Sequence, residues 1–361
     1  MTQKIEQATI LKALEHVDDP DTGKNIVLAN RVTYVKIEEK TVQVQLRLPS
    51  SAAAMKENIK KACESSIKVF VAEDLEVKVG VDIEGKTAHP ANAVYDVPNI
   101  KNIIAVASGK GGVGKSTVAA NLAIALAQEG YKVGLLDADI YGPSAPIMFG
   151  IQGERPMMRQ VGDKGMIEPI EKFGVKVISM GLLVDEKQAV IWRGPMATSA
   201  FRQFVKDVYW GELDYLVLDL PPGTGDVHLT ATSNLAITGA VIVTTPQAVA
   251  MADAKKGMMM FKNSNINVPI LGIVENMAYF TPEELPNNKY YIFGKDGGKN
   301  LCEQFEVPFL GEVPLVQSIR EGGDRGFPAV LNDEPIALKA FKNIAQGVLQ
   351  NLEKAKAGVL E

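Results

Sequence analysis

The stretch Ser108-Gly109-Lys110-Gly111-Gly112-Val113-Gly114-Lys115-Ser116-Thr117 decides the fold. It follows an apolar run at residues 103–107 that reads as a buried strand, and it opens a helical pattern over residues 117–129. Strand, glycine-rich turn and helix N-terminus in that order fit G-x-x-x-x-G-K-[ST], a phosphate-binding pattern. The glycines let backbone N–H groups converge on phosphate oxygens, and the helix N-terminus adds partial positive charge. Lys115 supplies full charge to the outer phosphates, and Ser116 offers a hydroxyl to Mg²⁺. Gly109, Lys110, Gly111, Gly112, Val113, Gly114, Lys115, Ser116 and Thr117 are thus the expected nucleotide-binding residues.

Two acidic stations fit the same site. A strand pattern at residues 132–136 ends in Asp137-Ala138-Asp139, and one at residues 215–218 ends in Asp219, before Leu220-Pro221-Pro222-Gly223-Thr224-Gly225-Asp226. Carboxylates at strand C-termini border the crevice where open α/β sheets bind ligands. Asp219 is the expected Mg²⁺ acid, acting through water. Asp139 is the expected residue that orients the attacking water, and Asp137 can exchange roles with it. A carboxylate in such a place can instead cap the next helix. His228, just beyond, reads as a packing or switch-loop residue.

Further strand patterns at residues 175–180, 240–245, 270–275 and 309–313 alternate with helical segments, which means a mostly parallel sheet flanked by helices, the α/β class. In the last helix, residues 336–355, Leu338, Phe341, Ile344, Ala345, Val348, Leu349 and Leu352 keep helical spacing, an apolar stripe suited to core docking. Residues 1–83 read as a separate small α+β domain: a helix stopped by Asp18-Asp19-Pro20-Asp21-Thr22-Gly23, two alternating strands, a helix over 52–70 and a strand near 75–79. Residues 84–100 read as a linker and 101–361 as the nucleotide-binding domain.

Composition bounds the function. The 361 residues are 46% hydrophobic and 22% charged, enough for buried cores, and a net charge of −5 gives no general pull toward nucleic acid or an anionic membrane. The opening Met1-Thr2-Gln3-Lys4-Ile5-Glu6 has no apolar signal core, and no apolar run is long enough to span a bilayer. A cytoplasmic location without stable membrane association is expected. The two cysteines, Cys63 and Cys302, make neither a disulfide framework nor a zinc spacing.

With Lys110 directly after the first glycine, the loop resembles that of the deviant Walker A ATPases, the group of the nitrogenase iron protein and the Min-type and Par-type ATPases. Gly194-Pro195-Met196, the segment from Leu218 to Asp226, Thr244-Thr245-Pro246-Gln247 and Glu275-Asn276-Met277-Ala278 narrow the resemblance to the Mrp/ApbC iron-sulfur cluster carriers, over residues 100–350. The resemblance implies ATP hydrolysis with ATP and Mg²⁺, by a homodimer in which Lys110 reaches the facing subunit's phosphates as an arginine finger does. It also implies a base seated near Asn276 and Val313-Pro314, and apo iron-sulfur proteins as partners. The N-terminal unit, with Asp18-Asp19-Pro20-Asp21 and Ile26-Val27, resembles the MIP18-type domain that often precedes such ATPases.

The resemblance breaks at the cargo. Members of that family usually follow Asn-Met-Ala with a Cys-x-x-Cys pair, and two subunits then bridge one iron-sulfur cluster through thiolates. Here the segment reads Tyr279-Phe280-Thr281-Pro282-Glu283-Glu284-Leu285-Pro286. Cys302 remains as a candidate ligand, with a small buried side chain as its plain alternative. The second functional expectation is a nucleotide-switched dimeric scaffold or adaptor ATPase that carries no cluster.

Overall fold

A computed structural model describes residues 7–19, 22–29, 31–38, 41–48, 55–72, 74–83, 97, 99–183, 194–264, 266–282, 284–285, 287–332 and 334–360. The chain divides into two compact units, Met1–Ala91 and Asn92–Glu361. Most of the expected linker, and Glu283 and Pro286, lie outside the described residues.

The first unit runs α1 (Gln7–Leu14), β1 (Val32–Glu38), β2 (Thr41–Leu48), α2 (Lys56–Phe70) and β3 (Glu76–Ile83). Its three-stranded sheet has the order β1-β2-β3. The hairpin partners β1 and β2 are antiparallel, whereas β2 and β3 are parallel, a pairing that needs the crossover α2 supplies. Alternation along β2 puts Val42, Val44, Leu46 and Leu48 in one core with Ile10, Leu14, Ile59 and Ile67. Cys63 is buried in that core. The turn after α1 is held by buried Asp19, which accepts from Arg31 Nε at 2.9 Å and Thr22 Oγ1 at 2.9 Å.

The second unit runs β4 (Ile100–Ala107), α3 (Lys115–Gln128), β5 (Val133–Asp137), α4 (Ala145–Met148), β6 (Met158–Val161), β7 (Lys164–Ile167), β8 (Ile170–Lys172), β9 (Val175–Ser179), α5 (Gly194–Asp207), β10 (Leu213–Asp219), α6 (Asp226–Asn234), β11 (Gly239–Thr244), α7 (Ala248–Phe261), β12 (Ile270–Phe280), α8 (Gly297–Phe305), β13 (Phe309–Leu315), α9 (Gln317–Asp324) and α10 (Pro335–Lys356). An eight-stranded sheet has the order β13-β12-β11-β4-β10-β5-β9-β8. Its pairings are parallel except for edge strand β8 against β9.

Both faces of the sheet are covered, which is why its strands read as continuous apolar runs. Ile104 and Val106 of β4 pack in a cluster with Leu122 of α3 and Phe341, Ile344 and Val348 of α10. Ile103, Ala105 and Ala107 pack in a second cluster with Phe201 and Phe204 of α5 and Phe261 of α7. The period of two along β4 thus divides one strand between two cores. No helix among the described residues is long and apolar enough to cross a membrane.

Three differences from the sequence reading have local causes. Helix α3 begins at Lys115 rather than Thr117, because Gly114, at φ 80°, turns the chain sharply enough to bring Lys115 and Ser116 into the first turn. Strand β12 runs past Glu275 to Phe280, where Phe280 exchanges backbone hydrogen bonds with Tyr290 at 2.8 and 2.9 Å. The hairpin β6–β7 and strand β8 escape the sequence reading because they are short, polar and largely exposed.

Candidate nucleotide site

The sheet order brings the site together. Strand β10 lies between β4 and β5, and Asp219 stands in register with Val106 on one side and Asp137 on the other. The glycine loop and both acidic stations therefore emerge side by side at the strand C-termini. The chain after β10 then folds under the loop: Leu220 N donates to Val106 O at 3.1 Å and Gly223 N to Ser108 O at 2.9 Å. On the far side, helix α7 presses so closely on Gly109 that a Cβ there would lie 2.1 Å from the Asp253 carbonyl.

Lys115 is only 6% exposed, and its ammonium pairs with the carboxylate of Asp219, itself 1% exposed. It also donates to Ser116 Oγ at 3.2 Å. A buried ammonium persists only when matched in this way. Lys110, by contrast, is exposed and makes no ion pair among the described residues. Gly111 and Gly112 are exposed beside it, Val113 is buried, and Thr117 is half-buried with its carbonyl accepting from Asn121 Nδ2 at 2.8 Å.

Asp137 and Asp139 differ sharply. Fully buried Asp137 accepts from Asp139 N at 3.1 Å, Ser144 N at 3.1 Å, Ala145 N at 3.1 Å and Ser179 Oγ at 3.0 Å. These bonds give Asp137 the partners that the capping alternative describes. Burial and then the neighbouring Asp219 push its carboxyl upward, against the pull of the Ala145 N–H and Lys115. Asp139 keeps more freedom, with Gly142 N on its Oδ1 at 3.2 Å. Burial raises its carboxyl as well, opposed first by Lys115.

Asn276 comes to the same place from β12, its Nδ2 donating to Val113 O at 2.8 Å. Pro314 is buried on neighbouring β13. Cys302 is not brought to the site. It lies in the core beside Leu301, donates from Sγ to Pro308 O at 3.3 Å, and burial pushes its thiol up to about 12. Cys63 is pushed up to about 12 by the same cause. The thiolate is the form that binds iron, and burial disfavours it at Cys302, which packs as the small buried side chain of the plain alternative. Among the described residues no group of three or more His, Cys, Asp or Glu is placed to hold a metal ion.

Two further polar residues, Glu275 and His228, are buried. Glu275 accepts from Gly298 N at the start of α8, and burial raises its carboxyl. Its place at the end of an apolar run, as for Asp137 and Asp219, was the available signal. His228 is 0% exposed, and neither ring nitrogen has a hydrogen-bond partner among the described residues. Burial, helped by Lys115, pushes it down to about 4, so its imidazole is neutral at pH 7. Only its position after the Asp219 segment marks it in the sequence.

A strand, a glycine loop, a buried lysine in the first helical turn and acids ending the two adjacent strands define a P-loop nucleotide-binding ATPase. The NUBPL iron-transfer P-loop NTPase family matches residues 99–349, and an iron-sulfur cluster assembly protein family matches residues 7–81. An iron-sulfur cluster carrier protein of Synechocystis is 46% identical over 96% of this chain and 98% of its own length. A mitochondrial iron-sulfur protein required for NADH dehydrogenase, from Arabidopsis thaliana, is 50% identical over 71% of this chain and 80% of its own. A nucleotide-binding protein of Archaeoglobus fulgidus, solved in complex with ADP, matches with TM-score 0.57 and 38% identity over 67% of this chain and 93% of that one. The chain therefore belongs to the iron-sulfur cluster carrier family of P-loop ATPases.

Proposed function

We propose that this chain works as a cytoplasmic homodimer, without stable membrane or nucleic-acid association, and that its ATP cycle drives the assembly of iron-sulfur clusters or their transfer to apoproteins. The carrying observation is the buried pair of Lys115 and Asp219 at the mouth of α3. On this reading Lys115 exchanges its carboxylate for the outer phosphates of ATP, which frees Asp219. Ser116, Asp139 and Asp219, with Asp137 beside them, would offer hard oxygens to Mg²⁺, which would supply neutralisation of the phosphate charge there. Asp139 orients the attacking water. Exposed Lys110 extends to the partner subunit's phosphates, where its charge stabilises the transition state. The base rests near Asn276 and Pro314.

The residues present do not fit a cluster bridged by surface thiolates, since both cysteines are buried and none follows Ala278 before Cys302. That favours a second reading, a nucleotide-switched scaffold or adaptor that carries no cluster itself. Anaerobic reconstitution with iron and sulfide, followed by gel filtration and metal counting, separates the two. A carrier retains on the order of one cluster per dimer, with Cys302→Ser loading as wild type does. Protein that emerges free of iron rules out carriage, and partner capture that follows ATP and ignores iron then identifies the scaffold.

A further inference from the structure

Asn276 and the phosphate loop meet by an indirect route. Strand β12, which carries Asn276, is separated from β4 by β11. Even so, the buried Asn276 Nδ2 bonds Val113 O at 2.8 Å. The loop is shaped to receive it: at Gly114 any Cβ would lie 2.1 Å from that nitrogen. Strand β12 is shaped to deliver it, because Met277 has a left-handed φ of 54° and the register against β13 shifts between Asn276 and Phe280. A non-glycine residue in that region carries strain that the surrounding contacts must hold.

The bond fixes more than a carbonyl. The Val113 C=O and the Gly114 N–H belong to one planar trans peptide and point in opposite directions. Holding the carbonyl on Asn276 therefore aims the Gly114 N–H the other way, toward the nest where phosphate oxygens are expected. We propose that Asn276 is a positioning residue for the phosphates: it locks the Val113–Gly114 peptide plane, in addition to any contact with the base. One amide serves both, because the bond to Val113 uses a donor and leaves Oδ1 as an acceptor. The proposal rests on reading the glycine loop as the phosphate site.

Inorganic tripolyphosphate separates the two roles, since it carries phosphates and no base. Titration calorimetry of the full-length protein with Mg²⁺ and either ADP or tripolyphosphate is run on wild type, Asn276→Asp and Asn276→Ala, with thermal melts of the unligated proteins alongside. Asn276→Asp keeps the shape and an acceptor for a base but sets a carboxylate against the Val113 carbonyl. It is expected to weaken ADP and tripolyphosphate alike by about tenfold. Asn276→Ala leaves the carbonyl unpaired without repelling it, and is expected to weaken both by a smaller factor while guarding against misfolding of the Asp variant. Weakened ADP with unchanged tripolyphosphate in a folded variant overturns the proposal and leaves a base contact alone. Wild type that binds neither ligand overturns the phosphate-site reading beneath it.

Discussion

Lys115 and Lys110 share one loop but stand in opposite environments, the first buried against Asp219 and the second exposed. Their substitutions should therefore separate binding from hydrolysis. Lys115→Ala removes the charge proposed to meet the phosphates, so binding of a fluorescent ATP analogue should vanish, and it strands Asp219, a stability loss of about 3–5 kcal/mol for a broken buried pair. Lys110→Ala should bind the analogue as wild type does and lose hydrolysis on the order of 1000-fold, the scale of an arginine finger. Unchanged phosphate release by Lys110→Ala would remove its cross-subunit role. His228 makes a different prediction. The unfolded chain protonates it near 6.5, whereas the folded chain resists until about 4. Between those values the unfolded state binds the extra proton, so stability is full above pH 6.5 and falls as pH drops through the window. The loss reaches on the order of 3 kcal/mol. Urea unfolding of His228→Leu should show a flatter acid limb than wild type.

At the scale of elements, the nucleotide loop is shaped by what packs around it. Helix α10 is well delimited, with Pro335 at its first position and the Glu334 carboxylate accepting from Ile336 N at 3.1 Å and Ala337 N at 2.7 Å. Its apolar stripe lies on the face of the sheet that holds α3, and Asn351 Nδ2 ties it to Leu271 O of β12 at 2.9 Å. Phe341 is fully buried there, so Phe341→Ala should cost about 3–5 kcal/mol. The expected readout is a lower melting transition for the ATPase unit that added ADP partly restores, since ligand binding stabilises the folded state by mass action. An unchanged transition would mean that α10 is not integral to the core.

The whole-molecule question is whether two chains complete one site. In a homodimer with Lys110 acting across the interface, Lys110→Ala and Lys115→Ala are each inactive alone but complementary when mixed. A mixed dimer holds one site with an intact Lys115 and a partner's Lys110. An equimolar mixture should recover about a quarter of the wild-type rate, because half the dimers are mixed and each has one complete site. No recovery, with mixed dimers demonstrated by differential tagging, would place Lys110 in its own subunit's site.

The α/β fold and the phosphate loop were legible because their signals are local. The β4 run, the glycine loop and the first turn of α3 are contiguous, and parallel strands buried on both faces read as apolar runs whatever their order in the sheet. The terminal acids were legible as a set, but their surroundings were not. Asp137 and Asp139 look alike in sequence, and only folding gathers Ser144, Ala145 and Ser179 around the first. The same holds for Cys302, whose thiol is set by the core it enters. The sequence by itself determined the architecture and the chemistry of the loop, through periodicity and a spaced motif. Only the tertiary structure decided that Asn276 holds Val113 from 163 positions away and that Glu275 meets Gly298. Such bonds depend on strand order and register, which no local spacing encodes.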